Sequence, residues 1–368
     1  MMKESTYFQE SYEQSRALFR TRIDDLRAKW DRVALYKWFI GVPQDDNTAD
    51  VLLADASESP ETLLIITSGL HGIEGYAGAA GLHLFIDELF PYVDPKVTGI
   101  RLVHGVNPWG MRHRRRVTAR NIDLNRNFHK DWAYRRTLMP LLYQRRRDLF
   151  TPESPLPPDV RHELAVTYSD SELEEMKNTP PPQHQERFGL YFGGAQMEEA
   201  SQKLALSFSD WAAGYKRILH LDLHTGGGPQ GELQMIFNEN ETRSLEELEL
   251  EVAHPWIQKA DGSVTLGDAT AVLQQYLMRT YPGKRIVSAL MEAGTVPENA
   301  DGLLFCSRAM IEEHALSISS DYVSTSSQDI REHFRALFDP KDTAWRREYL
   351  RQLYKAYLAL FSSEHILK

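Results

Sequence analysis

The segment Leu63-Leu64-Ile65-Ile66-Thr67 constrains this chain more than any other. It is a short continuous apolar run, the pattern of a β-strand buried on both faces. Such a strand, read here over Thr62–Ser68, needs other elements packed above and below it. Further strands are predicted at Ala49–Ala54, 100–103, Arg217–Leu223, Glu232–Phe237 and Arg285–Met291. Between them lie helical patterns. Ser11–Trp30 carries Leu18, Phe19, Ile23 and Leu26 on one face, and 76–90 runs until Pro91 stops it. Helices are also expected near Asp131–Phe150, Ala195–Ala213, Thr242–Val252, Asp268–Thr280 and Trp345–Phe361. Strands alternating with helices of about a dozen residues predict an α/β fold. We expect a mixed, mostly parallel central sheet covered by helices on both faces.

The organisation reads as one domain over 1–368, with an N-terminal helix at about 8–30. The stretch 151–183 is rich in Pro, Glu and Ser and reads as an inserted loop or lid. The 42 Lys and Arg against 52 Asp and Glu leave a net charge of −10, which argues against general affinity for nucleic acid or anionic membrane. Cys306 is the single cysteine, so neither an internal disulfide nor a cysteine zinc site is available. The polar N-terminus lacks a signal-peptide core, and no apolar run reaches the roughly 20 residues of a membrane helix. The expected location is cytoplasmic.

Four segments carry chemistry. The first, Gly69-Leu70-His71-Gly72-Ile73-Glu74-Gly75, follows the buried strand. An i, i+3 His/Glu pair in a helical turn faces one way and can meet one metal ion. An incidental surface turn gives the same short pattern. The second, His220-Leu221-Asp222-Leu223-His224, is β-like. With period 2, His220, Asp222 and His224 share one face. His224, at the strand's end, is the better ligand; Asp222 can orient it, and the deeper His220 reads as a satisfied core histidine.

The third segment joins Asn107-Pro108-Trp109-Gly110 to Arg112–Arg116 and then to Asp123-Leu124-Asn125-Arg126-Asn127-Phe128. A guanidinium beside an asparagine makes a good carboxylate clamp; a solvated basic loop is the plainer alternative. The fourth, Leu290-Met291-Glu292-Ala293-Gly294, ends an apolar strand in a carboxylate. Desolvation there suits a group to proton transfer. One His-x-x-Glu pair and a distant His make the His₂Glu composition of a catalytic zinc site.

This set, in this order, resembles the zinc carboxypeptidase superfamily over about residues 60–300, and most closely a bacterial branch of it known only as a domain of unknown function. The resemblance implies a carboxypeptidase-like fold of the phosphorylase/hydrolase type and one Zn²⁺ per chain, held by His71, Glu74 and His224. It implies Glu292 as general base and then proton donor, and Arg116 as oxyanion holder, with Arg115 the neighbour to which that role could slip. Asn125 and Arg126 would grip a terminal carboxylate. The implied activity is hydrolysis of a peptide or amide bond next to a residue with a free carboxylate. The substrate would be a small peptide or an acylated amino acid. Two alternatives stand beside it: an N-acyl amino acid amidohydrolase of the aspartoacylase/desuccinylase kind, and a non-catalytic binding protein on the same fold. Peptidases of the superfamily often carry a tyrosine upstream of the base. Tyr276 and Tyr281 lie in that direction without aligning. Oligomeric state is not legible.

Overall fold

The computed structural model describes residues 4–129, 186–260, 267–318 and 326–368. The expected helix at 131–150 and the proline-rich insertion at 151–183 lie outside them. Eight strands form one mixed sheet in the order β1-β2-β4-β3-β5-β8-β6-β7. They are β1 (Arg32–Phe39), β2 (Thr48–Asp55), β3 (Thr62–Ser68), β4 (Thr98–His104), β5 (Arg217–Thr225), β6 (Leu233–Phe237), β7 (Ile257–Lys259) and β8 (Arg285–Ala293). The centre, β4-β3-β5-β8, is parallel throughout. The β1-β2 and β2-β4 pairs are antiparallel, and so is β6-β8. The described helices are α1 (Glu4–Tyr7), α2 (Tyr12–Thr21), α3 (Ile23–Arg27), α4 (Gly75–Leu84), α5 (Pro108–His113), α6 (Glu199–Ala212), α7 (Leu245–Val252), α8 (Ala269–Thr280), α9 (Ala300–Ile318), α10 (Ser326–Phe338) and α11 (Thr343–Ser363).

Strand alternation divides the interior in two. Leu64 and Ile66 of β3, with Leu219, Leu221 and Leu223 of β5, join a core built with α4 and α11. Leu63, Ile65 and Ile218 point the other way, into a core with Phe208 of α6 and Leu273 of α8. The sheet is thus covered on both faces, as expected. Every residue of α4 is buried, because it lies between the sheet and α11. Its small residues allow this: a side chain at Gly81 would meet Leu223 and Leu353.

The single N-terminal helix expected over 8–30 is instead α2 and α3, parted at Arg22. The Arg22 side chain is held by Asp25 at 2.6 Å and by Asp87. The edge strand β1 and the helices α9 and α10 were not anticipated. No described helix is long and apolar enough to cross a membrane.

Candidate active site

The site grows out of the end of β3. Gly69, at φ +71°, turns the chain so closely that a Cβ there would lie 3.0 Å from the Gly105 Cα. His71 then precedes a single 3₁₀ turn, Gly72–Glu74. Side chains three apart eclipse in such a turn. His71 Nδ1 accordingly lies 2.9 Å from Glu74 Oε1. The same turn is stitched to the arginine loop. The Gly72 and Ile73 amides donate to the carbonyls of Arg116 at 3.2 Å and Arg115 at 3.0 Å. Asn-Pro-Trp-Gly is the start of α5: the Asn107 side chain caps it by accepting from the Gly110 amide at 2.9 Å.

His224 arrives from the end of β5. Its Nδ1 lies 3.1 Å from His71 Nδ1 and 2.9 Å from Glu74 Oε2. The far nitrogens face carboxylates: His71 Nε2 lies 3.1 Å from Asp123 Oδ1, and His224 Nε2 lies 2.9 Å from Asp222 Oδ2. An ionised carboxylate only accepts, so each Nε2 carries a hydrogen, and each Nδ1 is left as the nitrogen that faces Glu74 and can offer a lone pair to a cation. Two imidazole nitrogens and a carboxylate therefore converge, all buried. Tetrahedral zinc with Zn–N near 2.0–2.1 Å needs about 3.3 Å between donor atoms. The observed 3.1 and 2.9 Å lie within a few tenths of that. The three residues form the one cluster of potential metal ligands among the described residues. Charge favours a cation as well. Although burial alone would lower it, Asp222 and Glu74 hold the His224 imidazole well above its ordinary pKa.

Glu292 faces this cluster from β8, where it pairs in register with His224. Its Oε1 accepts the Gly227 amide at 2.7 Å. Burial pushes the carboxyl up to about 7, and the neighbouring Glu74 carboxylate adds to the rise. Arg116 and Arg126 both donate to Asp123 Oδ2, while Asp123 Oδ1 also accepts the Asn125 amide at 3.0 Å. Burial opposes ionisation of Asp123, but the two guanidiniums and His71 hold it well below the ordinary range. One carboxylate thus fixes the His71 imidazole and two cations together. The ring of Tyr191 backs both guanidiniums, at 4.8 Å from Arg126 and 5.6 Å from Arg116.

These groups open on a cavity of about 460 Å³. His71, His224, Arg116, Asn125, Arg126 and Glu292 line one part of it; Asn238, Gln258, Lys259 and Thr270 line another. Asn125 is partly committed. Its amide donates to Asp268 at 2.9 Å and its carbonyl accepts from the Ala269 amide at the start of α8. Arg115 turns away and pairs with Glu313 of α9, so Arg116 is the arginine that reaches the cavity.

The family model for Protein of unknown function (DUF2817) matches residues 8–352. The chain belongs to that family. No curated protein matches the sequence. Solved structures do match the fold. Thrombin activatable fibrinolysis inhibitor superposes with a TM-score of 0.50 at 11% identity, over 92% of this chain and 77% of that one. Carboxypeptidase A from Helicoverpa armigera gives 0.49 at 15%, over 90% and 74%. A candidate metallopeptidase from Shewanella amazonensis gives 0.43 at 14%, over 89% and 94%. At these identities the likeness is one of fold, and this DUF2817 chain has the carboxypeptidase-like α/β architecture.

Of the residues singled out from the sequence, His71, Arg116, Asn125, Arg126, His224 and Glu292 line this cavity, and Glu74 closes the cluster behind the two imidazoles. Tyr276 and Tyr281 are not among its described lining residues, and the Tyr281 hydroxyl donates to the Ser209 carbonyl at 2.9 Å. Two participants went unnoticed in the sequence. Asp123 stands inside the run that flagged Asn125 and Arg126, and Tyr191 offered no signal at all.

Proposed function

We propose that this protein is a zinc-dependent hydrolase that cleaves a peptide or amide bond beside a residue with a free carboxylate. The observation that carries this reading is the pair of inward Nδ1 atoms, 3.1 Å apart, closed by the Glu74 carboxylate. His71, Glu74 and His224 would hold the ion. Zinc, when bound, supplies Lewis acidity that polarises a carbonyl and acidifies water. The remaining steps belong to the chain. Glu292, with a carboxyl poised near neutrality, takes the proton of the attacking water. It then delivers that proton to the leaving nitrogen, so that water and amide become acid and amine. Arg116 donates to the oxygen on which negative charge develops. Arg126, pre-set by Asp123 and Tyr191, offers its remaining N–H groups to the substrate carboxylate, beside Asn125.

Metal analysis and a substrate series test this reading. The purified protein is expected to hold about one zinc per chain, lost in a double His71→Ala, His224→Ala variant. A substrate with a free α-carboxylate should be preferred over its amide by about 10- to 200-fold in kcat/KM, from a charge-assisted contact of roughly 1.5–3 kcal/mol. Arg126→Ala should erase most of that preference with zinc in place. Stoichiometric zinc in the double variant, or equal rates on acid and amide, would overturn the reading. Cleavage of N-acetyl-aspartate with an N-blocked dipeptide left intact would transfer it to the amidohydrolase alternative.

A further inference from the structure

Next to His224, and deeper along the strands, four more polar side chains join hands across three strands. Asp222 Oδ1 accepts from the Thr67 hydroxyl at 2.6 Å. Thr67 Oγ1 lies 3.0 Å from His220 Nε2. His220 Nδ1 lies 2.7 Å from the Ser288 hydroxyl. Thr67 belongs to β3, His220 and Asp222 to β5, and Ser288 to β8. Strand alternation puts them on one face, and parallel pairing sets Thr67 beside Asp222 and His220 beside Ser288 in register. All are at most 2% exposed.

The hydrogens in this chain have one consistent arrangement. The Asp222 carboxylate accepts at both oxygens, from Thr67 and from His224 Nε2. Thr67 has one hydrogen, spent on Asp222, so its oxygen accepts from His220 Nε2–H. That leaves His220 Nδ1 bare, and Ser288 donates to it. A neutral His220 suits this role, and burial pushes its pKa down to about 4. Its ring also stands perpendicular to the Phe208 ring, with centroids 4.7 Å apart, which fixes the plane of the imidazole.

Core positions on three central strands are costly places for polar groups. Well-packed apolar residues of the same shape would serve stability about as well. What these groups supply is direction. A carboxylate fixed as an acceptor on both oxygens can take only Nε2–H from His224, which leaves Nδ1 as the nitrogen that would present its lone pair to a metal between Glu74 and His71. We propose that Thr67, His220 and Ser288 are positioning residues that act through Asp222 to hold the His224 ring and its tautomer for metal binding. This rests on the zinc reading above.

The test uses Thr67→Val, which keeps the branched shape in β3 and deletes the hydroxyl, and Thr67→Ser, which restores it. The readouts are the zinc dissociation constant by competition with a chromophoric chelator, the visible spectrum of the cobalt-substituted protein, and the Tm of the zinc-free protein. Partners that orient metal ligands typically contribute 10- to 100-fold in affinity. Thr67→Val is expected to weaken zinc by about 10-fold and to shift the cobalt bands, and Thr67→Ser to return both to near wild type. Ser288→Ala, at the far end of the chain, should weaken zinc by more than about twofold and serves if Thr67→Val does not fold. A folded Thr67→Val or Ser288→Ala protein with wild-type affinity and spectrum overturns the positioning role, even if its zinc-free Tm falls. A wild-type protein that takes up no zinc overturns the metal reading itself, and this inference with it.

Discussion

Glu74 and Glu292 sit close together in fields of opposite effect. Burial works against ionisation of both. At Glu74 the facing His71 and His224 override it, and the carboxyl is held well below its ordinary range. At Glu292 burial prevails, Glu74 adds repulsion, and the carboxyl rises to about 7. Carboxylates pushed apart in this way are suited to different tasks, one as a permanent anion and one as a proton carrier. Glu292→Gln keeps a carbonyl oxygen for the Gly227 amide while removing the proton acceptor. Turnover should fall by on the order of 10²-fold or more with zinc content unchanged, measured by steady-state kinetics beside metal analysis. Near-normal kcat would remove Glu292 from the base role. The site's polar residues were legible wherever chemistry coincided with a strand end, as at His71, His224 and Glu292. Asp123 was not read as the hub, because nothing in one dimension shows two guanidiniums and an imidazole ending on one carboxylate. Tyr191 reaches the arginines from a distant segment at φ +66°, and no local pattern announces it.

The elements that matter most are two short ones pressed together, the 3₁₀ turn after His71 and the helix α5. Gly72 lies against the Gly110 backbone so closely that a Cβ would collide with it. The two amide-to-carbonyl bonds from Gly72 and Ile73 tie this turn to Arg116 and Arg115. Gly72→Ala must push the turn off α5 and carry His71 and Glu74 with it. Overpacking of this kind costs about 1–3 kcal/mol, which is a Tm lower by a few degrees. The drop should be seen with and without zinc, and zinc affinity should fall as well. Gly214→Ala is the control, since a Cβ there meets nothing within 4 Å. An unchanged Tm and affinity in Gly72→Ala would mean that this contact does not hold the ligands in place. The elements most legible in the sequence were those buried on both faces, such as β3. The edge strand β1 was missed because its faces are both half-exposed and its apolar residues do not alternate cleanly. α9 was missed because it buries a continuous run, Ala309–Ala315, and shows no clean apolar stripe, whereas α10 was legible, with Ile330, Phe334, Leu337 and Phe338 at helical spacing.

At the scale of the whole molecule, the interior holds histidines that must stay neutral. His83 is wholly buried in α4, stacked on Tyr7 with ring centroids 6.1 Å apart. Neither of its nitrogens has a hydrogen-bond partner among the described residues. Burial pushes its pKa down to about 3, and Arg22 and His104 push the same way against Asp87. His104 and His314 are likewise held near 4, again chiefly by burial. An unfolded histidine titrates near 6.5. The unfolded chain therefore binds protons that the native state refuses, and stability must fall as pH drops from about 6.5 towards 4. At 1.36 kcal/mol per unit, each such histidine withdraws about 3 kcal/mol by pH 4. Zinc release, as protons compete for His71 and His224, would add to the loss over the same range. A comparison of variants separates the two. His83→Leu is close in size and leaves both ligands untouched. Its Tm should decline less steeply than that of the wild type between pH 6.5 and 5, in the zinc-free and the zinc-loaded protein alike. Equal slopes for the two proteins would show that His83 takes up its proton in the native state, and the acid sensitivity would then belong to the other buried histidines and to His71 and His224.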